Sequence, residues 1–248
     1  MNSNTYILTF VAILTVVVAI TLGGLREITK AQSAQNEDIF NKRAIISSIE
    51  TKLGEGVKVK SLSDEEILEL FSPANMDQFV LNMSGEVVDG MQAEEVDMAV
   101  EKKKPEADRV LPLYVYKGGS EPLYILSVRG NGLWDEIWGN IALESDVSTV
   151  AGAAFDHKGE TPGLGAEIKD NPNFSANFQG KKIYEDQALR GIVVRKGGAK
   201  DPNYEVDGIS GATVTADGVS EMLDRGLKYY EPYLNELRSK STSMLIQK

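Results

Sequence analysis

A chain of 248 residues, 42% hydrophobic and 25% charged, holds enough apolar material for one globular domain plus a membrane element and is too apolar for general disorder. Its net charge of −11 is a poor footprint for nucleic acid, whose phosphates are met by clustered Lys and Arg, so no nucleic-acid partner is expected. With no cysteine and a single histidine, His157, iron–sulfur ligation, thiol chemistry and His/Cys metal sites fall away, and any redox function needs an organic cofactor.

The flank at residues 1–5 carries no basic residue, and the span from Tyr6 to Gly24 carries no charge at all. Its nineteen residues, at about 1.5 Å each, nearly match a hydrocarbon core of about 30 Å. Thr9, Thr15 and Thr21 can return their hydroxyl bonds to the preceding helical turn, so they do not bar insertion. The run is too long, and its flank too neutral, for a cleaved secretion signal. Residues 6–24 therefore read as an uncleaved membrane helix. Arg26, Lys30, Lys42 and Arg43 follow it, and by the positive-inside bias alone they would hold the remaining chain in the cytoplasm.

Residues 25–50 read as a stalk helix, with Phe40, Ala44, Ile45 and Ile49 at helical spacing. A globular domain is expected over 51–240 and a short tail over 241–248. Ser63 and Glu66 form a capping box for a helix ending near Phe71. The charge-rich stretch 84–108 reads as a solvated surface insertion. Strands follow in runs. Leu111–Tyr116 and Leu123–Arg129 flank the turn "KGGSEP", and Ile137–Glu144 and Val147–Phe155 flank "SD". A short helix is expected to begin near Pro162, then a strand in "GIVVRKGGA". A last helix begins around Thr215, with Val219, Met222, Leu223, Leu227, Tyr230, Leu234 and Leu237 on one face, and Pro232 is expected to kink or split it. Runs of strands followed by helices argue an α+β domain with an antiparallel or mixed sheet.

Four stretches carry candidate chemistry. "VDGISGATVTADG" places Ser210, Gly211, Ala212 and Thr213 before a helix, whose free N–H groups and partial positive charge suit a phosphate; an ordinary cap after a tight turn has the same pattern. "HKGETPGLGAEIKDNPNF" offers Glu160 and Thr161 beside a turn built by Gly163, Leu164 and Gly165, although Gly-x-Gly alone is weak evidence. "RGNGLWDEIWGN" sets Trp134 and Trp138 among glycines, where they serve either a cleft wall or the core. "VVRKGGAKDP" offers Arg195 or Lys196 as a counter-charge or as a solvated turn. No base stands near the Thr213 hydroxyl in sequence, so no catalytic residue is assigned, and no metal site.

Asp207-Gly-Ile-Ser-Gly-Ala-Thr213 matches the flavinylation pattern D-G-x-[ST]-G-A-T, and "ETPGLG", "GLW" and the single apolar helix accompany it in order. Together they resemble the C subunit of the Na+-translocating NADH:quinone reductases; the homologous flavin subunit of Rnf-type ferredoxin:NAD+ complexes is the nearest alternative family. A membrane-anchored binding or sensory domain is the alternative of another class. The resemblance implies an FMN-binding domain with one FMN joined to Thr213 through a phosphoester made by a flavin transferase. It implies ring contacts from Glu160, Thr161, Leu164 and Trp134, a loop shaped by Gly163 and Gly165, room supplied by Ser210, Gly211 and Ala212, and a charge at Lys196. It implies electron relay within a complex of other membrane, flavin and iron–sulfur subunits that couples NADH oxidation and quinone reduction to Na+ movement. It also places the domain on the periplasmic side of a bacterial inner membrane, against the charge bias, which large translocated domains escape.

Overall fold

One helix, α1 (Ser3–Ser47), carries the whole apolar span and the expected stalk as far as Ser47, three residues short of its expected end. The structure is a computed structural model that describes residues 3–246. The outermost residues of the expected flank and tail, 1–2 and 247–248, lie outside the described residues. The described chain divides into two compact units between Asn41 and Lys42. In the first, the side chains of residues 4–38 are exposed, and Thr9, Thr15 and Thr21 each donate their hydroxyl to the carbonyl four residues back at 2.8 Å. Over residues 6–24, an all-round apolar helix with its threonine hydroxyls bonded back to its own carbonyls is suited to lipid rather than to water.

The second unit opens with the end of α1, where Ile45, Ile46 and Ile49 turn into the interior. Helix α2 (Asp64–Leu70) starts on the expected capping box: Glu66 N–H donates to Ser63 Oγ at 3.2 Å and Ser63 N–H donates to Glu66 Oε2 at 2.7 Å. Strand β1 (Met76–Asn82) follows, a strand the sequence reading missed. The stretch after it departs from a solvated insertion. Val87 bridges Leu81, Ala93 is buried, and the Glu101 carboxylate at the end of the short helix α3 (Met98–Glu101) accepts from Val110 N–H at 3.0 Å. A few inward side chains are enough to pin a charged segment to the sheet.

Strands β2 (Val110–Tyr116), β3 (Leu123–Asn131), β4 (Glu136–Leu143) and β5 (Val150–His157) complete a five-stranded antiparallel sheet in sequential order β1-β2-β3-β4-β5. The β4–β5 connection is longer than the two-residue turn expected. Asp146 Oδ1 takes the N–H groups of Ser148 and Thr149 at 2.9 and 2.8 Å, which delays the return strand to Val150. Strand β2 is buried along both faces from Leu111 on: Leu111, Leu113 and Val115 face one core, Tyr114 and Tyr116 the other. Its sequence is accordingly a continuous apolar run rather than an alternation.

Beyond β5, Pro162 begins no helix: the chain turns through 161–166, and the helices are α4 (Glu167–Asp170) and α5 (Pro172–Ala176), with Pro172 in the helix-opening position expected of Pro162. A small hairpin β6 (Tyr184–Glu185) and β7 (Ala188–Leu189) leads to β8 (Val193–Arg195), which pairs in parallel with β9 (Glu205–Asp207). The last helix, α6 (Thr213–Ile246), begins two residues earlier than read, because Ala216 N–H already donates to the Ala212 carbonyl at 2.9 Å. It also continues through Pro232. A proline removes only its own N–H bond and crowds one carbonyl, that of Lys228 on the exposed side, while Tyr230 and Leu234 on either side are held in the core.

Helix α6 lies on the sheet face that holds the larger core. Met222, Leu223, Leu227, Tyr230 and Leu234 are all but fully buried. The backbones approach closely because Gly226 has no side chain: a Cβ there would strike Val128 of β3. Tyr230 Oη donates to the Pro112 carbonyl at 2.7 Å, with the Ser127 carbonyl at 3.0 Å, tying the helix to β2 and β3.

Candidate functional site

The chemistry-bearing stretches converge at one end of the sheet. The β3–β4 turn (132–135), the chain leaving β5 at His157 and the first turns of α6 meet there, since Asn131 pairs with Glu136, Ile137 with His157, and Gly218 of α6 abuts Asn131 and Gly132. Segments remote in sequence are thereby brought around the start of α6.

The motif itself forms a β-turn closed by Ala212 N–H donating to Ile209 O at 3.2 Å, with Gly211 at φ +77, a left-handed conformation that favours glycine. Ser210 and Gly211 are exposed and Thr213 is half-buried. Because the helical ladder opens with Ala216, the N–H groups of Thr213, Val214 and Thr215 precede it and point out of the helix end. Leu164 lies over Gly211, where a Cβ would come within 2.7 Å of its Cδ2. Gly163, at φ +74, has open space around it, and Thr161 is exposed while its carbonyl accepts from Leu164 N–H and Ala166 N–H at 3.1 Å each.

Glu160 is the one charged site residue that is buried. It is 5% exposed, and its Oε1 accepts from Trp134 N–H at 2.9 Å while its Oε2 accepts from the Thr215 hydroxyl at 2.7 Å. Its own N–H donates to His157 Nδ1 at 3.1 Å, so the lone histidine serves as a turn partner. Trp134 is 70% exposed, neither core nor cleft wall within this chain, and with Leu133, Leu164 and Val214 it leaves an apolar rim open at this end. Trp138 is half-buried, its ring 4.9 Å from the Arg129 guanidinium.

The surrounding charge is largely spoken for. The Arg129 guanidinium, and then Lys102, hold the Glu136 carboxyl down at about 2. Asp135 is also held below its ordinary range, by Glu136 N–H first and then by Lys158. Arg195 is occupied by Glu205, whose carboxyl the guanidinium, with Lys200 N–H, lowers to about 2. Of the pair considered from sequence, that leaves Lys196, exposed and beside Gly208, without an ion-pair partner among the described residues. Among the described residues no group of carboxylates and histidine is arranged to hold a metal.

The fit to a flavin nucleotide is good on two counts. Unladdered N–H groups at a helix start suit a phosphate, and exposed Trp134, Leu164 and Val214 supply apolar surface for a planar ring. Sequence reasoning missed the part played by Thr215, which reads as one more helix hydroxyl and is in fact 1% exposed and bonded across to Glu160.

Residues 132–228 match the FMN-binding domain family. The C subunit of the Na(+)-translocating NADH-quinone reductase of Vibrio anguillarum is 42% identical over 130 residues, about half the length of each protein at 51%. The protein of the same name from Pseudomonas aeruginosa is 32% identical over 261 residues, covering 96% of this chain and 97% of the relative. A crystal structure of the C subunit from Parabacteroides distasonis superposes with a TM-score of 0.72 at 35% identity, over 83% of this chain and 96% of that one. An apolar N-terminal helix, an FMN-binding α+β domain and similarity along nearly the full length thus agree, and the chain belongs to the family formed by the C subunits of Na(+)-translocating NADH-quinone reductases.

Proposed function

We propose that the chain is an electron-relay subunit that carries FMN as a phosphoester on Thr213. The observation that supports this most directly is the placement of Thr213: a partly accessible hydroxyl in the first turn of α6, next to a glycine turn, with no base hydrogen-bonded to it among the described residues. A hydroxyl without a local base is a poor nucleophile but a suitable acceptor for an external flavin transferase. Ser210, Gly211 and Ala212 leave that enzyme room, and the N–H groups at the helix start are placed to share the phosphate charge afterwards. FMN, when bound, supplies the one- and two-electron chemistry. The chain's part is to orient it: Trp134 and Leu164 offer ring contacts, Thr161 a hydroxyl, Gly163 and Gly165 a narrow loop, and Lys196 a nearby positive charge.

On this reading the apolar span of α1 is a single-pass anchor, and the domain stands on the periplasmic side, where the transferase acts. Donor and acceptor are other subunits of a Na+-translocating NADH:quinone reductase, including flavin and iron–sulfur subunits, so this chain alone completes no reaction. The test is intact mass and in-gel flavin fluorescence after full denaturation, on wild type and Thr213→Ala, both co-expressed with a flavin transferase. Wild type gains one FMN less water and the variant gains nothing. A modified Thr213→Ala, or an unmodified wild type beside a modified control protein, overturns the reading.

A further inference from the structure

The geometry points to Glu160 as a positioning residue that acts from beneath the flavin site, clamping it together and placing a buried negative charge there. This rests on the reading of Thr213 as the flavin anchor. Three observations carry it. First, both carboxylate oxygens are used inside the protein, one by Trp134 N–H at 2.9 Å and the other by the Thr215 hydroxyl at 2.7 Å. The residue therefore joins the β3–β4 turn, the loop after β5 and the first turn of α6, the three segments that bear Trp134, Leu164 and Thr213. Second, the fit around it is tight. A Cβ on either Gly132 or Gly165 would collide with a Glu160 oxygen, so these two glycines make the chamber in which the carboxylate sits. Third, Glu160 is 5% exposed, yet among the described residues it makes no ion pair. Hydrogen-bond donors and the positive end of α6 face its carboxylate.

Two consequences follow. Truncating the side chain frees the Trp134 turn from the helix start. Neutralising it without truncation removes an anion close to Thr213. Reduction adds negative charge to a flavin, so a fixed anion nearby disfavours it, and removing that anion shifts the flavin midpoint potential upward. Glu160→Gln separates the two. Its amide oxygen can accept from Trp134 N–H and its amide N–H can donate to Thr215 Oγ1, so the clamp is kept while the charge is lost.

The experiment uses the full chain, co-expressed with the transferase and purified in detergent. Wild type, Glu160→Gln, Glu160→Ala and Thr215→Val are compared by spectroelectrochemical titration of the flavin and by amide hydrogen exchange over 131–136 and 212–216. Glu160→Gln is expected to keep wild-type protection in both segments and to show an upward shift in potential. Glu160→Ala is expected to lose protection in both, and Thr215→Val in 212–216 alone with little change in potential. A wild-type potential in Glu160→Gln overturns the electrostatic role. Unchanged protection in Glu160→Ala overturns the clamp, and Thr215→Val decides that point should the alanine variant not fold. A wild type without flavin on Thr213 sinks the functional reading instead, and the exchange data still decide the clamp.

Discussion

The middle of α6 and the segment that leads into it have opposite tasks. From Val219 to Leu234 the inward side chains are all but fully buried, and the tyrosine among them is hydrogen-bonded to the sheet. From Ser210 to Val214 the chain is mostly open, with Val214 53% exposed and only Ala212 buried. One helix thus holds the domain together along its middle and presents small, accessible groups at its start. The lesson is that the start can be exposed because the middle is not: a helix end is a reliable platform only when the following turns are fixed by packing.

The sharpest way to break this comparison is to damage the middle. Leu227→Ala leaves a cavity at a fully buried position and should cost about 2–5 kcal/mol by chemical denaturation. Flavin loading of the fraction that stays folded should be unaffected. Lost loading at normal stability would show that the two stretches are not separable.

Acid gives an intermediate effect at the sheet end and the β8–β9 ribbon. Glu136 and Glu205 have carboxyls lowered to about 2 from an ordinary 4.5, by Arg129 and Arg195 respectively. The folded state therefore binds their protons less readily than the unfolded chain. Their contribution is fully present above about pH 4.5 and is lost as pH falls towards 2. Thermal melts should fall through that window, and Arg195→Gln should flatten the Glu205 share of the decline. A variant with an unchanged acid limb would show that this pair adds nothing.

Val214→Ser should have the smallest effect. An exposed residue in the first helical turn, away from any packed feature, changes stability by within about 0.5 kcal/mol, or about 1–2 °C in melting temperature. A loss comparable to that of Leu227→Ala would place the helix start in the core after all.

Local rules made much of this molecule legible. The apolar span with its inward-bonded threonines, the Ser63–Glu66 capping box, the β2–β3 hairpin and the apolar face of α6 all follow from spacing and residue type. The readings that failed are those where a distant partner, or a stronger local signal nearby, prevailed. Pro232 sits in a continuous helix because Tyr230 and Leu234 are anchored on either side of it. Strand β1 was missed because its amphipathic run makes sense only beside β2, and Pro162 lost the helix start to Pro172, where Asn171 caps with its side chain.

The sequence by itself determined the membrane-suited helix, the α+β class and the motif that singles out Thr213, because each depends on residues within a few positions of one another. Only the tertiary structure decided that Glu160 meets Thr215 across 55 positions, that Trp134 is held by its backbone while its ring stays open, and that Glu205 takes Arg195 rather than Lys196. Those outcomes depend on which side chains the sheet register brings face to face, and register is a property of paired strands that no single segment carries.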